Sequence, residues 1–378
     1  MISAIRVEAA GAAVTVLSTR TEVTRWAERY FGPWWVAAPV DAATVIAGPA
    51  VVAEVSPDQY FDLTRQIHDG RPTEEVEYAT NRLIVARDGE DIIATSPDEH
   101  IVYRRMPLSS GRLVLVGVDV LSLALAAVRL ARESIRGQLL QDGWAVLHAS
   151  AVVRPADGST LLALGGKGSG KTTAALLLAS RGWQLLANDR VLARVHGERD
   201  VEVVPWPAAA ALGLGLFHAL GWDVGAREHL RGGGAFHPTQ HGRVTDAVRA
   251  GDYTPQWDEG RRERKVQVFP DQFPDLFNVQ LARGGRVAGL LFPQVDASAV
   301  PDVVDGSRAL GEADFMSGAT EDRYPDVFGL AQGVAGGGRE SARAEVASRL
   351  AVLPHRAVRL SHDIQASAAL MEKVADAI

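Results

Sequence analysis

Cysteine is absent from the 378 residues. Disulfides, thiol catalysis and cysteine-held metals are therefore ruled out, and a reducing, cytoplasmic setting is the expectation. A basic surplus is missing too. The formal net charge is −7, so the chain as a whole offers little to a polyanion, which argues against a general nucleic-acid or membrane-surface role. No apolar run approaches the roughly 20 residues of a membrane span; the longest, 121–128, is far shorter. The opening MISAIRVEAAGAAV has neither the basic start nor the long apolar core of a secretory signal. Internal repeats do not stand out. With 47% hydrophobic and 22% charged residues, the composition is that of a soluble globular protein. Its length suits two domains or one large one.

The strongest local signal is residues 160–181, TLLALGGKGSGKTTAALLLASR. Apolar residues 161–164 read as a strand and run directly into Gly165, Gly166, Lys167, Gly168, Ser169, Gly170, Lys171 and Thr172, which fit G-x-x-x-x-G-K-[ST] without a mismatch. From Thr173 the Ala/Leu-rich run to Ser180 reads as a helix, with Gly182 placed to end it. Glycines there let successive backbone N–H groups turn toward phosphate oxygens, and a helix amino terminus adds partial positive charge. Lys171 is expected to reach the outer phosphates and Thr172 to offer its hydroxyl to Mg²⁺. Lys167 lies in the variable part of the loop. The nucleotide-binding set is thus 165–173, Thr173 included.

The stretch before about residue 118 reads as a small strand-rich α+β region, a candidate for docking an acceptor or partner. A strand is expected at 14–17 and a helix at 22–31, closed by Gly32-Pro33. Strands 83–87 and 91–95 flank Asp88-Gly89 as a hairpin, and two more strands are expected at 101–105 and 113–118. Trp34-Trp35 is assigned to core packing rather than to an exposed patch. A long helix, 120–140, carries Arg129, Arg132 and Arg136 on one stripe with Glu133 nearby. Both a solvated basic face and a contact with the nucleotide domain are open for it.

The second region, 119–378, continues with strands either side of His148-Ala149-Ser150. A short strand at 184–187 ends at Asn188-Asp189, and a hairpin spans 191–204. Residues 225–242, rich in glycine and histidine, read as a mobile loop; the spacing of His229, His237 and His241 suits a metal only weakly. The basic run Arg261-Arg262-Glu263-Arg264-Lys265 is as readily a solvated loop as an anion clamp built on Arg264 or Lys265. Residues 329–338 read as a glycine-rich linker, and the tail as helix, strand and helix over 340–351, 356–360 and 364–377.

Taken together, Arg129-Leu-Ala-Arg132-Glu133, Leu147-His148-Ala149-Ser150-Ala151-Val152, the glycine loop and Asn188-Asp189 resemble the HPr kinase/phosphorylase catalytic domain. They resemble still more the HPr-kinase-related proteins of peptide natural-product clusters, such as lasso-peptide kinases. The resemblance covers about 126–207 and is weak elsewhere. It implies an α/β fold of phosphoenolpyruvate carboxykinase type, a mixed sheet with flanking helices, rather than a Ras-like fold. It also implies that Lys171 and Thr172 hold the phosphates and Mg²⁺, that His148 lies beside the phosphates or the metal shell, and that Asp189 is a metal-side carboxylate. Asn188 stands where the family has the first of two aspartates, the expected base for the acceptor hydroxyl. An amide cannot take that proton. Either Asp189 has assumed the role, or the acceptor needs little deprotonation, or the protein binds nucleotide without transfer.

The expectation is an ATP- and Mg²⁺-dependent kinase acting on a hydroxyl of a peptide or small natural-product intermediate. Asp189, His148 and Lys171 would be catalytic, with Asn188, Arg264 and Lys265 as acceptor or phosphate contacts. Losing a general base slows such a reaction by about two to four orders of magnitude, because positioning and charge neutralisation carry most of the catalysis. The alternatives are a catalytically reduced nucleotide-binding accessory protein and a nucleoside or other small-molecule kinase. The acceptor, ATP against GTP, and the oligomeric state are not fixed by the sequence.

Overall fold

The computed structural model describes residues 1–378 apart from 46–47, 70–71, 107–110, 261, 307 and 317–323. It is mixed α/β and divides into two compact units, Met1–Trp144 with Met316–Glu340, and Ala145–Phe315 with Ser341–Ile378. The division falls at Trp144 rather than near 118, because the long helix packs on the first sheet.

In the first unit, β1 (Ser3–Ala9), β2 (Ala12–Ser18), β3 (Val36–Val40), β4 (Ala50–Val55), β5 (Thr73–Tyr78), β6 (Asn81–Asp88), β7 (Asp91–Ser96), β8 (Ile101–Arg105) and β9 (Arg112–Gly117) form one mixed sheet. Their order is β3-β1-β2-β4-β9-β8-β7-β6-β5. Asp88 pairs with Asp91 across the expected hairpin. Helices α1 (Thr21–Phe31) and α3 (Val120–Gln141) pack together, α3 against β2, β4 and β9, whereas α2 (Pro57–His68) packs on β7, β8 and β9. Trp34 and Trp35 are buried, Trp35 stacked on Phe31 at 5.3 Å, so core packing is their role. Both edge strands discourage further pairing: Pro39 lacks a donor, and β5 carries Glu74, Glu75 and Glu77.

Arg129, Arg132 and Arg136 are not a solvated face. All three are enclosed in the first unit with Glu133, which is 3% exposed. Arg129 Nη2 donates to both Glu99 carboxylate oxygens (2.8 and 2.9 Å) and to the Tyr103 hydroxyl. Glu133 takes Arg132 through one oxygen (3.3 Å) and meets Arg136 with the other (2.8 Å). Arg136 Nη2 then reaches the Tyr324 carbonyl at 2.8 Å, and the Arg132 guanidinium lies 4.8 Å from the centre of the Tyr324 ring. The returning segment can come this close because α3 carries Gly137. A Cβ there would sit 2.3 Å from the Leu330 carbonyl oxygen. Residues 329–338 are accordingly packed structure, with Ala331 buried and the Asp326 carboxylate accepting from the Leu330 and Ala331 amides.

The second unit is built on β10 (Ala145–Leu147), β11 (Ala149–Val153), β12 (Ser159–Leu164), β13 (Gln184–Ala187), β14 (Val191–His196), β15 (Asp200–Pro205) and β20 (Gly285–Val295), in the order β10-β14-β15-β20-β12-β11-β13. Two further strands, β21 (Asp302–Val304) and β22 (His355–Leu360), attach through β22, which runs parallel to β20. Between β15 and β20 the chain forms β16 (Ala210–Leu212), α5 (Leu214–Ala219), α6 (Asp223–Arg231), α7 (Gly242–Ala250), β17 (Gln256–Trp257), β18 (Glu263–Arg264), β19 (Val266–Val268) and α8 (Gln272–Phe277). The expected mobile stretch 225–242 therefore contains most of a helix. Ala226 and Leu230, four apart, are buried on one side of it and Phe236 follows.

Alternation along the strands sorts the core into two faces. Val152, Leu161, Ala163, Leu185 and Leu291 meet α4 (Lys171–Ala179), α10 (Ile364–Asp376) and the α5–α8 segment. Ala151, Val153, Leu162, Leu164, Leu186 and Leu290 form the other face with Phe315 and with Val346 and Leu350 of α9 (Glu340–Ala351). Among the described residues no helix is long and apolar enough to cross a membrane.

Substituting Glu133→Gln leaves Arg132 and Arg136 enclosed without their shared carboxylate. The expected cost is about 3–5 kcal/mol, read as a fall in the urea midpoint at unchanged slope. A loss below about 1 kcal/mol, the range of surface pairs, would show that the network is hydrated and not enclosed.

Candidate functional site

The site lies at one end of the second sheet. The strand β11 is antiparallel to both β12 and β13, so its first residues stand beside their last ones: Ala149 pairs with Leu164, and Ala151 with Ala187. His148, the glycine loop and Asn188-Asp189 are brought together by that register alone. His148 is the residue between β10, which pairs with β14, and β11. Its amide donates to the Asp314 carbonyl at 2.7 Å, and the Asp314 carboxylate is gripped by Arg308 through both oxygens (2.5 and 2.6 Å).

The loop leaves β12 at Leu164 and re-enters helix at Lys171. Gly170 has φ +99°, open to glycine at little cost, and a Cβ on it would lie 2.5 Å from Val295 Cγ2 at the end of β20. Among the described residues no side-chain hydrogen bond caps α4, and its amino terminus carries the partial positive charge of a helix start. Ser169 Oγ is buried, with no hydrogen-bond partner among the described residues. A buried hydroxyl without a partner costs free energy unless something else satisfies it. These features fit a phosphate-bearing ligand.

Lys171 is 7% exposed and lies over its own loop, Nζ donating to the Gly165 and Gly166 carbonyls at 2.8 and 3.2 Å. Gly166, Lys167 and Gly168 are exposed at the tip of the loop, and Thr173 is half-buried in the first turn of α4. The Thr172 hydroxyl donates to the Asn188 carbonyl at 3.1 Å, and Ser150, fully buried, donates to the same oxygen at 2.6 Å. The main chain of Asn188 thus locks β11, β13 and α4 together. Asn188 is only 8% exposed, whereas the Asp189 side chain beside it is 40% exposed.

The Asp189 carboxylate is held from both sides. His148 Nε2 lies 3.2 Å from Oδ1, and Arg190 Nη1 lies 2.9 Å from Oδ2. Burial works against ionisation, but the His148 hydrogen bond and the Arg190, His148 and Lys171 charges outweigh it and hold the carboxyl at about 2. Among the described residues no three histidines or acids gather as a metal cage. Thr172 and Asp189 would be the protein's share of a Mg²⁺ shell, the remainder coming from phosphate oxygens and water, as is usual for this ion.

The other predicted residues have partners of their own. Arg264, on β18, donates to His241 Nδ1 at 3.3 Å, and His241 caps α7; Lys265 follows Arg264 directly, and Arg261 is outside the described residues. Among the described residues, no hydrogen bond or ion pair found links Arg264 or Lys265 to the P-loop. His229 and His237 face Ala235 and Thr239 respectively. Sequence reasoning missed Ser150, Arg190 and Asp314. Arg190 follows Asp189 directly and Ser150 lies two residues past His148, and only strand pairing brings Ser150 to its acceptor. No protein-family model matches the chain and no curated protein matches it.

Because Asp189 is depressed from 3.8 to about 2, its stabilising contribution is complete above the ordinary carboxylate value and is lost as pH falls through about 2. Carboxyl ¹³C shifts of labelled aspartate should show this midpoint, and His148→Gln should move it upward. A midpoint at the ordinary value in the unsubstituted protein would show that the carboxylate is not held.

Proposed function

We propose that this chain is an ATP-dependent phosphotransferase of HPr kinase/phosphoenolpyruvate carboxykinase type, acting on a hydroxyl of a peptide or small natural-product intermediate. One observation carries the reading. Lys171, Thr172, His148 and Asp189, distant in sequence, gather at one sheet end with the amino terminus of α4 and a buried hydroxyl that is unpartnered among the described residues. The antiparallel neighbour of the P-loop strand supports the mixed-sheet type rather than an all-parallel one.

In this reading the loop amides and Lys171 take the outer phosphates, Lys171 exchanging its two carbonyl contacts for phosphate oxygens. Thr172 and Asp189 would hold Mg²⁺, which when bound would supply charge neutralisation at the phosphates. The acceptor oxygen forms the new bond to the terminal phosphorus as the bond to the bridging oxygen breaks and ADP leaves. The acceptor proton needs a destination. Asn188 is excluded by chemistry and by burial, and a carboxylate held at about 2 is a poor base near neutrality. With Nε2–H donated to Asp189, His148 keeps Nδ1 as its basic nitrogen. His148 is therefore the proton acceptor, and Asp189 fixes its tautomer.

The accessory-protein alternative is favoured by a single feature, the amide of Asn188. Two substitutions separate the readings. Lys171→Ala should weaken ATP binding on the order of 10- to 100-fold by calorimetry, the worth of hydrogen bonds to charged groups; equal affinities would end the P-loop reading. Asn188→Asp buries a second carboxylate beside Asp189, and like-charge repulsion should lower phosphate transfer if the enzyme is built around the amide. ADP release and the phosphate mass shift of candidate acceptors report on both proteins. A silent unsubstituted protein with an active Asn188→Asp variant would establish the accessory reading instead.

A further inference from the structure

We propose that Arg190 is a positioning residue that sets the Asp189 carboxylate for Mg²⁺, and that it governs the binding of metal-loaded nucleotide rather than of nucleotide alone. The inference rests on the nucleotide-and-Mg²⁺ reading above and assigns a role to a residue outside it.

Asp189 stands just past the end of β13, with its side chain 40% exposed, so its carboxylate would sample several rotamers if nothing held it. Two contacts remove that freedom. His148 engages one oxygen at 3.2 Å and Arg190 the other at 2.9 Å, and the Arg190 side chain is itself only 14% exposed. A carboxylate has about four lone-pair sites on its two oxygens, so both contacts leave room for a metal. Arginine suits the task because it has donors only and stays charged at every working pH. It can neither ligate the metal nor release the carboxylate by losing a proton. Histidine on the other oxygen lacks that permanence.

Two effects of Arg190 oppose each other. Its charge repels Mg²⁺, and its ion pair at 2.9 Å orients the ligand that takes Mg²⁺. The repulsion acts at a side chain that is 40% exposed, where solvent weakens it in part. Outer-shell partners of metal ligands are typically worth 10- to 100-fold in metal affinity or activity. Orientation therefore outweighs repulsion, and removing Arg190 weakens metal-dependent binding.

The full chain, its Arg190→Met and Arg190→Lys variants, Asp189→Asn and the Asp189→Asn/Arg190→Met double variant are titrated by calorimetry with ATP in excess EDTA and with MgATP. Urea midpoints are recorded alongside. Arg190→Met should weaken MgATP about 10- to 100-fold and ATP in EDTA by less than about twofold, with Arg190→Lys between it and the unsubstituted protein. On the Asp189→Asn background, Arg190→Met should add almost nothing, since residues acting through one contact are non-additive. Unchanged MgATP affinity, an equal loss with and without metal, or full additivity with Asp189→Asn overturns the role of Arg190 alone. An unsubstituted protein that binds neither ATP nor MgATP overturns the nucleotide reading, and this inference with it. If Arg190→Met lowers the urea midpoint sharply, the Arg190→Lys comparison decides, because it keeps the charge and loses the planar fork.

Discussion

The site depends on the direction of one strand. Because β11 runs opposite to both β12 and β13, its beginning lies where they end. Residues 148, 165–172 and 188–190 then share one sheet end whatever their separation in the chain. The hydrogen bonds from Ser150 and Thr172 to the Asn188 carbonyl fix that arrangement to within a bond length. A hydroxyl at position 150 is tolerated in a fully buried place only because it has this acceptor. Packing on either side of the strands holds the register: a slip by one residue would send Leu161 and Ala163 to the face occupied by Leu162 and Leu164.

Charge is distributed unevenly. A chain of net charge −7 places Lys171 and Arg190 around the single carboxylate of Asp189, with Lys167 exposed at the loop tip. The surroundings are cationic where the rest is acidic. An anionic ligand would be drawn to this spot by nearby groups rather than by the field of the whole molecule.

What could be read from the sequence was local. The strand–loop–helix of 160–181, the 83–95 hairpin, the long helix 120–141 and the terminal helix, strand and helix all follow from short-range periodicity and turn residues. Three things were not legible. The helix at 223–231 was obscured by glycine and histidine, and its two buried apolar residues, Ala226 and Leu230, were too few to announce a period. The arginines of α3 have the spacing of a surface stripe, and nothing nearby in sequence says that Glu99, Tyr103 and Tyr324 will enclose them. Arg190 looked like an ordinary charged residue before a strand until the neighbouring carboxylate acquired an orientation. Each of these is a contact between residues far apart in the chain or a side-chain direction, and composition and periodicity carry neither.

The first unit is discontinuous: residues 1–144 are completed by residues 316–340. During synthesis from the amino terminus, the enclosed guanidinium groups of Arg132 and Arg136 therefore exist for the time it takes to make some 170 further residues without the backbone that closes over them. At about 5–20 residues per second that interval is on the order of ten seconds or more. It is long compared with the collapse of the chain already made. The second unit is likewise completed only by residues 341–378, but it waits for just the 25 residues between Phe315 and Ser341. Residues 1–144 have the longest wait for their closing segment, and they are the part of the nascent protein longest open to chaperones and proteases.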